Sequence, residues 1–287
     1  MECNSIFNLL RPYQKEIEIC IQQSVAGLGS PSVLRDACEY ALTNGGKRFR
    51  PALVLMVAKS LNPHAKVKDA ALAIEYFHTA SLIADDLPCM DDDSKRRDLP
   101  STHVKFDEAT ALLASYALIA AGYELLAKNA KMLHDRSVFP LIIHNVSVNT
   151  GLEGASGGQY LDINPPDLKE STLREIIHKK TVSLFEISFV LGWLYGGGNP
   201  QALSLVKQAA AHFGMAFQIA DDFGDMEQDV GNERLVNFPN VFGKEKAYFI
   251  FQEEMSGFFK VLETLHLQDS DLGEMGNLLI YSITSHV

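Results

Sequence analysis

Apolar residues recur at helical steps through most of the chain, as at Ala70, Leu72, Ile74, Phe77 and Leu82 and again at Leu112, Leu113, Tyr116, Ile119, Ala120 and Tyr123. That spacing suits one face of a helix, and strand-like alternation is rare. Breakers divide the pattern at Ser30-Pro31, Asn62-Pro63, Pro165-Pro166 and Gly196-Gly197-Gly198-Asn199-Pro200. The spacing predicts helices over roughly 5–25, 32–44, 50–61, 66–87, 105–128, 135–151, 157–163, 171–195, 200–228, 239–265 and 270–285. The stretch 137–148 has strand-like composition, with Val138, Ile142, Ile143, Val146 and Val148. A single buried strand would lack a pairing partner, so this stretch is also assigned to a helix. No linker-like stretch longer than about ten residues interrupts the pattern, which predicts one all-α domain over 1–287.

Charge narrows the function classes. With 25 basic and 36 acidic residues the net charge is −11, and no basic footprint for nucleic acid is present. The uncharged run 137–152 is 16 residues long and contains Pro140, His144, Asn145 and Asn149. It falls short of the roughly 18 to 20 apolar residues of a spanning helix, so no membrane span is expected. Glu2, Arg11 and Lys15 oppose a secretory leader. Cys3, Cys20, Cys38 and Cys89 form no C-x-x-C pair and have no histidine at zinc spacing. They fit a reduced, cytoplasmic compartment better than a disulfide framework.

Two acidic clusters carry the chemistry. Asp85, Asp86, Asp91, Asp92 and Asp93 gather at the C-terminal end of an apolar helical pattern, where the helix dipole and mutual repulsion disfavour anions. Taken alone, the run reads equally well as a solvated acidic loop. Asp221, Asp222 and Asp225 follow Phe217-Gln218 on a helix that Phe213, Met215 and Ile219 mark as buried, and Asp221 and Asp225 share a face. Carboxylates on a buried face need a counter-charge. With few His or Cys ligands nearby, Mg²⁺ is the preferred ion, with part of its shell left for a diphosphate. Neither cluster has the alternating ligands, central Gly and closing Glu of an EF-hand loop.

Cations complement these clusters. Gly45-Gly46-Lys47-Arg48-Phe49-Arg50-Pro51 stands before an apolar helix, where basic side chains beside free amides can hold an anion. Arg96-Arg97 follow the first acidic run. His78 lies two turns before Asp85 on the same face, and reads equally as a core histidine. Lys180-Thr181 sit in an apolar helix where a cation needs an anionic partner.

In this order the residues resemble the trans-isoprenyl diphosphate synthase family, in its short-chain bacterial and plant branch of farnesyl and geranylgeranyl diphosphate synthases. The match runs over about 30–229. It comprises G-G-K-R-x-R-P at 45–51, His78, D-D-x-x-x-x-D as Asp85, Asp86 and Asp91, Arg96-Arg97, G-G-Q-x-x-D at 157–162 with Gln159, Lys180-Thr181, and F-Q-x-x-D-D running into D-D-x-x-D as Asp221, Asp222 and Asp225. The resemblance implies a helical bundle around a deep central cavity, usually a homodimer. It implies head-to-tail transfer of a prenyl group from an allylic diphosphate to isopentenyl diphosphate. The allylic diphosphate would bind through Mg²⁺ bridged by Asp85, Asp91 and Asp221, with Asp86, Asp222 and Asp225 completing the metal motifs and Arg96 and Lys180 assisting. Isopentenyl diphosphate would sit on Lys47, Arg50, His78 and Arg97, with Thr181, Gln218 and Gln159 also contacting substrate. After ionisation of the allylic C–O bond, attack by the isopentenyl double bond and loss of a proton to the departing diphosphate would complete the reaction.

The chain departs from the family pattern in several places. The loop after the second motif is short, and Leu235 stands where a lysine is usual, with Arg234 beside it. The arginine-rich C-terminus is replaced by Ser285-His286-Val287, and Ala84, Asp98 and Tyr116 replace a usual His, Gly and Asp. These departures keep two further readings open: a weakly active or regulatory homologue, and a terpene cyclase, against which the isopentenyl-binding set argues. Product length follows from the face of the helix before Asp85. Ser81, Phe77 and Ile74 would line the wall, with small Ala80 and Ser81 where farnesyl synthases carry an aromatic residue. Phe77 lies about one turn, roughly 5 Å, deeper, so geranylgeranyl diphosphate is expected first and farnesyl diphosphate next.

Overall fold

The computed structural model describes the backbone of residues 5–231 and 236–283 and the side chains of all these but 227–231. Helix α1 (Ile6–Val25) leads to α2 (Val33–Thr43), α3 (Phe49–Leu61) and α4 (Lys68–Asp85). A two-stranded hairpin follows, β1 (Lys95–Arg96) and β2 (Leu99–Pro100), then the short α5 (Thr102–Lys105) and the long α6 (Glu108–Asn129). Helices α7 (Phe139–Thr150) and α8 (Ala155–Ile163) precede α9 (Glu170–Ile177). A π-helical turn, His178–Val182, joins α9 to α10 (Ser183–Tyr195). The chain closes with α11 (Leu203–Gly231), α12 (Phe238–Phe242), α13 (Lys244–Thr264) and α14 (Asp271–Ile283).

The all-α expectation holds, and 137–148 is helical, not a strand. Two boundaries differ because the backbone demands a break. The expected helix over 239–265 divides at Gly243, whose φ of 86° lies in the left-handed region. The expected helix over 171–195 carries the π turn in its middle. The hairpin was not anticipated, since strands of two residues show no alternation to detect.

Helices α3 and α10 run through the centre, and α10 buries all its residues but Glu186. A hydrophobic helix of this kind has no wet face to offer, and the other helices pack around it. Polar caps fix several entry points: Ser32 Oγ accepts from the Arg35 amide at 3.2 Å, and Asp107 Oδ1 accepts from the Thr110 amide at 2.7 Å. Helix α4 is buried over much of its length, and Asp86, just past its end, is buried as well.

Helix α6 is a stretch that the uncharged-run count did not consider. By length and composition alone it is apolar enough to cross a membrane, although Glu124 and Lys128 interrupt its apolar sequence. In this fold one face packs on α4, while Leu112, Leu113, Tyr116 and Ile119 remain exposed.

Candidate active site

The first acidic cluster is folded by its own backbone. Asp85 ends α4, and its carbonyl accepts from the Asp91 amide at 2.9 Å, turning the chain so that both carboxylates reach one cavity. Asp221, Asp222 and Asp225 on α11 face them across a space of about 420 Å³. Arg96, Asp162, Lys180, Thr181 and Gln218 complete its polar lining. Burial pushes the Asp85 carboxyl up to about 6, against the pull of the nearby Lys180 ammonium.

Lys180 owes its place to the π turn and to a glycine. A Cβ on Gly158 of α8 would lie 2.3 Å from the Lys180 backbone nitrogen, so only glycine permits this approach. Lys180 Nζ donates to Asp162 Oδ2 at 2.5 Å. Burial by itself would lower the lysine, but Asp162 and then Asp85 outweigh it and hold the ammonium above its usual range. Next to it, Thr181 Oγ1 donates to Gln218 Oε1 at 2.8 Å, and Gln218 Nε2 donates to Asp222 Oδ1 at 2.7 Å. Asp222 Oδ2 accepts from the Phe238 amide at 2.8 Å, which joins the π turn to the start of α12.

A second cavity, about 360 Å³, opens beside the first and is mainly apolar. The two share Leu82, Asp85, Lys180 and Thr181. Phe77, Ala80 and Ser81 line it as expected, together with Ser115, Tyr116, Ile119, Thr150 and Gln159. Ile74 does not; it is fully buried in the core. Arg50 and His78 also line it: Arg50 Nη1 lies 3.3 Å from His78 Nε2, and Arg50 Cζ stands 4.8 Å from the centroid of the Phe185 ring. Burial, reinforced by the neighbouring Arg50, depresses His78 well below its usual range, so the imidazole is neutral. Arg50 Nε, His78 Nδ1 and both amide atoms of Gln159 are buried without a hydrogen-bond partner, the condition of groups built to meet a ligand.

Several expected site residues are placed otherwise. Asp86, expected on the metal, turns from the main cavity; its Oδ1 accepts from Arg96 Nε at 2.9 Å and from Arg96 Nη2. Asp222 lines the cavity, but both of its oxygens are engaged by Gln218 and Phe238. A position in the motif does not tell which carboxylates serve the protein itself. Lys47 is exposed and lines neither cavity. Arg97 also lines neither; it donates to Asn44 Oδ1 at 3.1 Å and to the Gly45 carbonyl, in the loop that carries Lys47. Arg48, between the two expected cations, is structural: buried in the left-handed region, it pairs with Glu18 at 2.6 Å and Glu75 at 2.5 Å. Asp162 was legible in the G-G-Q-x-x-D motif yet not singled out. Arg234, Leu235 and the C-terminal Ser285-His286-Val287 lie outside the described residues.

A family model for polyprenyl synthetases matches residues 31–233. The chain belongs to the polyprenyl synthetase family. Among relatives of this polyprenyl synthetase, a farnesyl diphosphate synthase of Geobacillus stearothermophilus is 36% identical over 227 residues, 78% of this chain and 76% of that one. A heterodimeric geranylgeranyl pyrophosphate synthase large subunit of Arabidopsis thaliana is 34% identical, covering 77% of this chain and 62% of its own. The crystal structure of a geranyltransferase from Legionella pneumophila superposes with a TM-score of 0.83 at 28% identity, over 97% of each chain.

The donor set suits a hard divalent cation. Among the described residues no three Asp, Glu, His or Cys side chains converge closely enough to cage an ion on their own. Carboxylates from two sides of one cavity, with room between them, instead match the way magnesium shares its shell with water and phosphate oxygens.

Proposed function

We propose that this polyprenyl synthetase condenses isopentenyl diphosphate head to tail with an allylic diphosphate, with geranylgeranyl diphosphate as the favoured end product and farnesyl diphosphate as the alternative. The observation that carries this reading is the pair of joined cavities, one acidic with embedded cations and one apolar, meeting at Asp85, Lys180 and Thr181. An amphiphile with a diphosphate head and a hydrocarbon tail fits that division. Magnesium, held by Asp85, Asp91, Asp221 and Asp225, supplies charge neutralisation of the leaving diphosphate when bound. Arg96 and Lys180 hold the diphosphate oxygens, stabilising charge that develops as the allylic C–O bond breaks. The Thr181 and Gln218 side-chain oxygens lie beside the junction, where positive charge on carbon would be met by dipoles. Leu82, Phe77 and Leu184 keep water from the cation. Arg50 and neutral His78, lining the apolar cavity, suit the second substrate.

The apolar stripe of Leu112, Leu113, Tyr116 and Ile119 supports a homodimer, since exposed aliphatic and aromatic side chains along one helix gain from a second copy. Leu235 and Asp98 in place of a lysine and a glycine favour, as a second reading, a weakly active chain that modifies a partner synthase. One experiment separates the two: the purified chain alone is incubated with labelled isopentenyl diphosphate, Mg²⁺ and geranyl or farnesyl diphosphate. Label entering an acid-labile prenyl product is expected. No incorporation with any primer sinks the catalytic reading.

A further inference from the structure

Phe77 forms part of the wall of the apolar cavity, and its position depends on a residue that does not line that cavity. On α6, Gly122 is buried directly behind the ring. A Cβ at Gly122 would stand 2.6 Å from Phe77 Cε1, 2.8 Å from Cζ and 3.1 Å from Cδ1. The ring therefore occupies space that every other residue type would claim. Glycine inside a long helix is a poor choice on backbone grounds, because it leaves the unfolded chain freer and contributes no packing. Its presence here is explained by the ring it admits.

The ring is also confined from the side. Phe77 packs edge to face on Tyr123, with centroids 5.2 Å apart and planes at 66°. The Tyr123 hydroxyl lies 3.4 Å from Thr150 Oγ1, on a second helix that borders the same cavity. With Gly122 behind it and Tyr123 beside it, the ring's open side is the cavity. A methyl group at position 122 would drive it there.

We propose that Gly122 is a specificity-determining residue: by seating the Phe77 ring in α6 it sets the depth of the apolar cavity and hence the length of prenyl chain accommodated. The inference rests on the prenyl-transfer reading for its substrate, but its geometry concerns hydrocarbon length alone. A tail reaching past Ala80 and Ser81 meets Phe77 as its floor, and Gly122 decides how low that floor lies.

The test is Gly122→Ala, compared with Phe77→Ala and the double variant. With isopentenyl diphosphate, an allylic primer and Mg²⁺, chromatography of the products should show Gly122→Ala stopping one isoprene unit earlier than the parent. Phe77→Ala should run longer, and adding Gly122→Ala to it should change nothing, because no ring remains to be displaced. A second readout needs no turnover: binding of non-reactive geranyl, farnesyl and geranylgeranyl thiodiphosphates by calorimetry. Gly122→Ala should lower the affinity ratio of the longest to the shortest analogue by about tenfold, the scale of losing burial for about two methylenes. An unchanged ratio, or the same fall in the Phe77→Ala background, overturns the proposal. If the parent incorporates no label yet Gly122→Ala alters that ratio as described, the catalytic reading fails and the inference stands. If Gly122→Ala does not fold, Phe77→Leu added to it should restore the thermal transition; failure of that rescue overturns the seat as described.

Discussion

The two aspartate motifs face one another across a single cavity, and each gives up its middle carboxylate to hold the fold. In the first, Asp85 and Asp91 reach the cavity while Asp86 grips Arg96, which returns from the hairpin. In the second, Asp221 and Asp225 line the cavity while Asp222 also accepts from Gln218 on its own helix and from the start of α12. The anchors differ in kind. Asp86 answers a charge with a charge, whereas Asp222 answers an amide side chain and a backbone N–H. One motif is thus positioned by a loop with its own arginine, the other by a helix with a polar network extending to Thr181. A repeated sequence pattern does not imply a repeated physical role for each of its letters.

The largest effect expected is on turnover. Asp85→Ala and Asp221→Ala should each lower kcat at least a hundredfold, corresponding to about 2.7–4 kcal/mol of lost charge stabilisation at ionisation. Steady-state kinetics at saturating Mg²⁺ measures this, with circular dichroism to check that the fold persists. Near-normal rates in both would reduce the facing carboxylates to surface decoration.

The anchors should separate in stability. Asp86→Asn leaves the partly buried Arg96 with its longer ion pair to Asp93, at 3.3 Å. The expected loss is about 2 kcal/mol, below the range for fully buried pairs because the arginine is partly wet. Asp222→Asn retains one carbonyl acceptor and should cost nearer 1 kcal/mol. Denaturant melts of the two variants side by side measure the difference; equal losses would erase the distinction drawn above.

A further effect is one of pH. Because Asp85 has its folded pKa raised to about 6, the folded state binds a proton more readily than the unfolded chain. Stability without metal should therefore rise as pH falls from about 6 towards 4, with the full penalty present above 6. Asp85→Asn removes that penalty, stabilising the metal-free protein at pH 7 by up to about 3 kcal/mol while impairing catalysis. A parent whose thermal midpoint is flat between these pH values would show that burial at Asp85 has been overstated.

The helical pattern made most of this fold legible, since long amphipathic or wholly apolar stretches leave little choice of secondary structure. Motif order likewise brought Asp85, Asp91, Asp221, Asp225, Lys180 and Arg96 to one cavity. The direction of individual side chains was not legible. Arg48 and Arg50 are two residues apart with similar chemistry, yet one is consumed by Glu18 and Glu75 and the other meets the cavity. Their difference is set by residues distant in sequence. Nor did the chain announce its hairpin, where Arg97 and Asp98 have φ of 56° and 64°. A two-residue turn of that hand ordinarily signals itself with glycine or asparagine.

The π turn at His178–Val182 is a matter of phase. One α-helical residue advances the rotation by about 100°, so a turn widened to hold one more residue sets the two helical halves out of step. Before it, Arg174 looks outward to Glu254 on α13; after it, α10 is wrapped by the core. Deleting a single residue there would bring the halves back into step and leave both helices intact. Lys180 or its flanking helix would then swing by about a quarter of a circle or more, so the ammonium and the core could not both keep their partners. For this stretch of chain, length is as much a functional variable as composition.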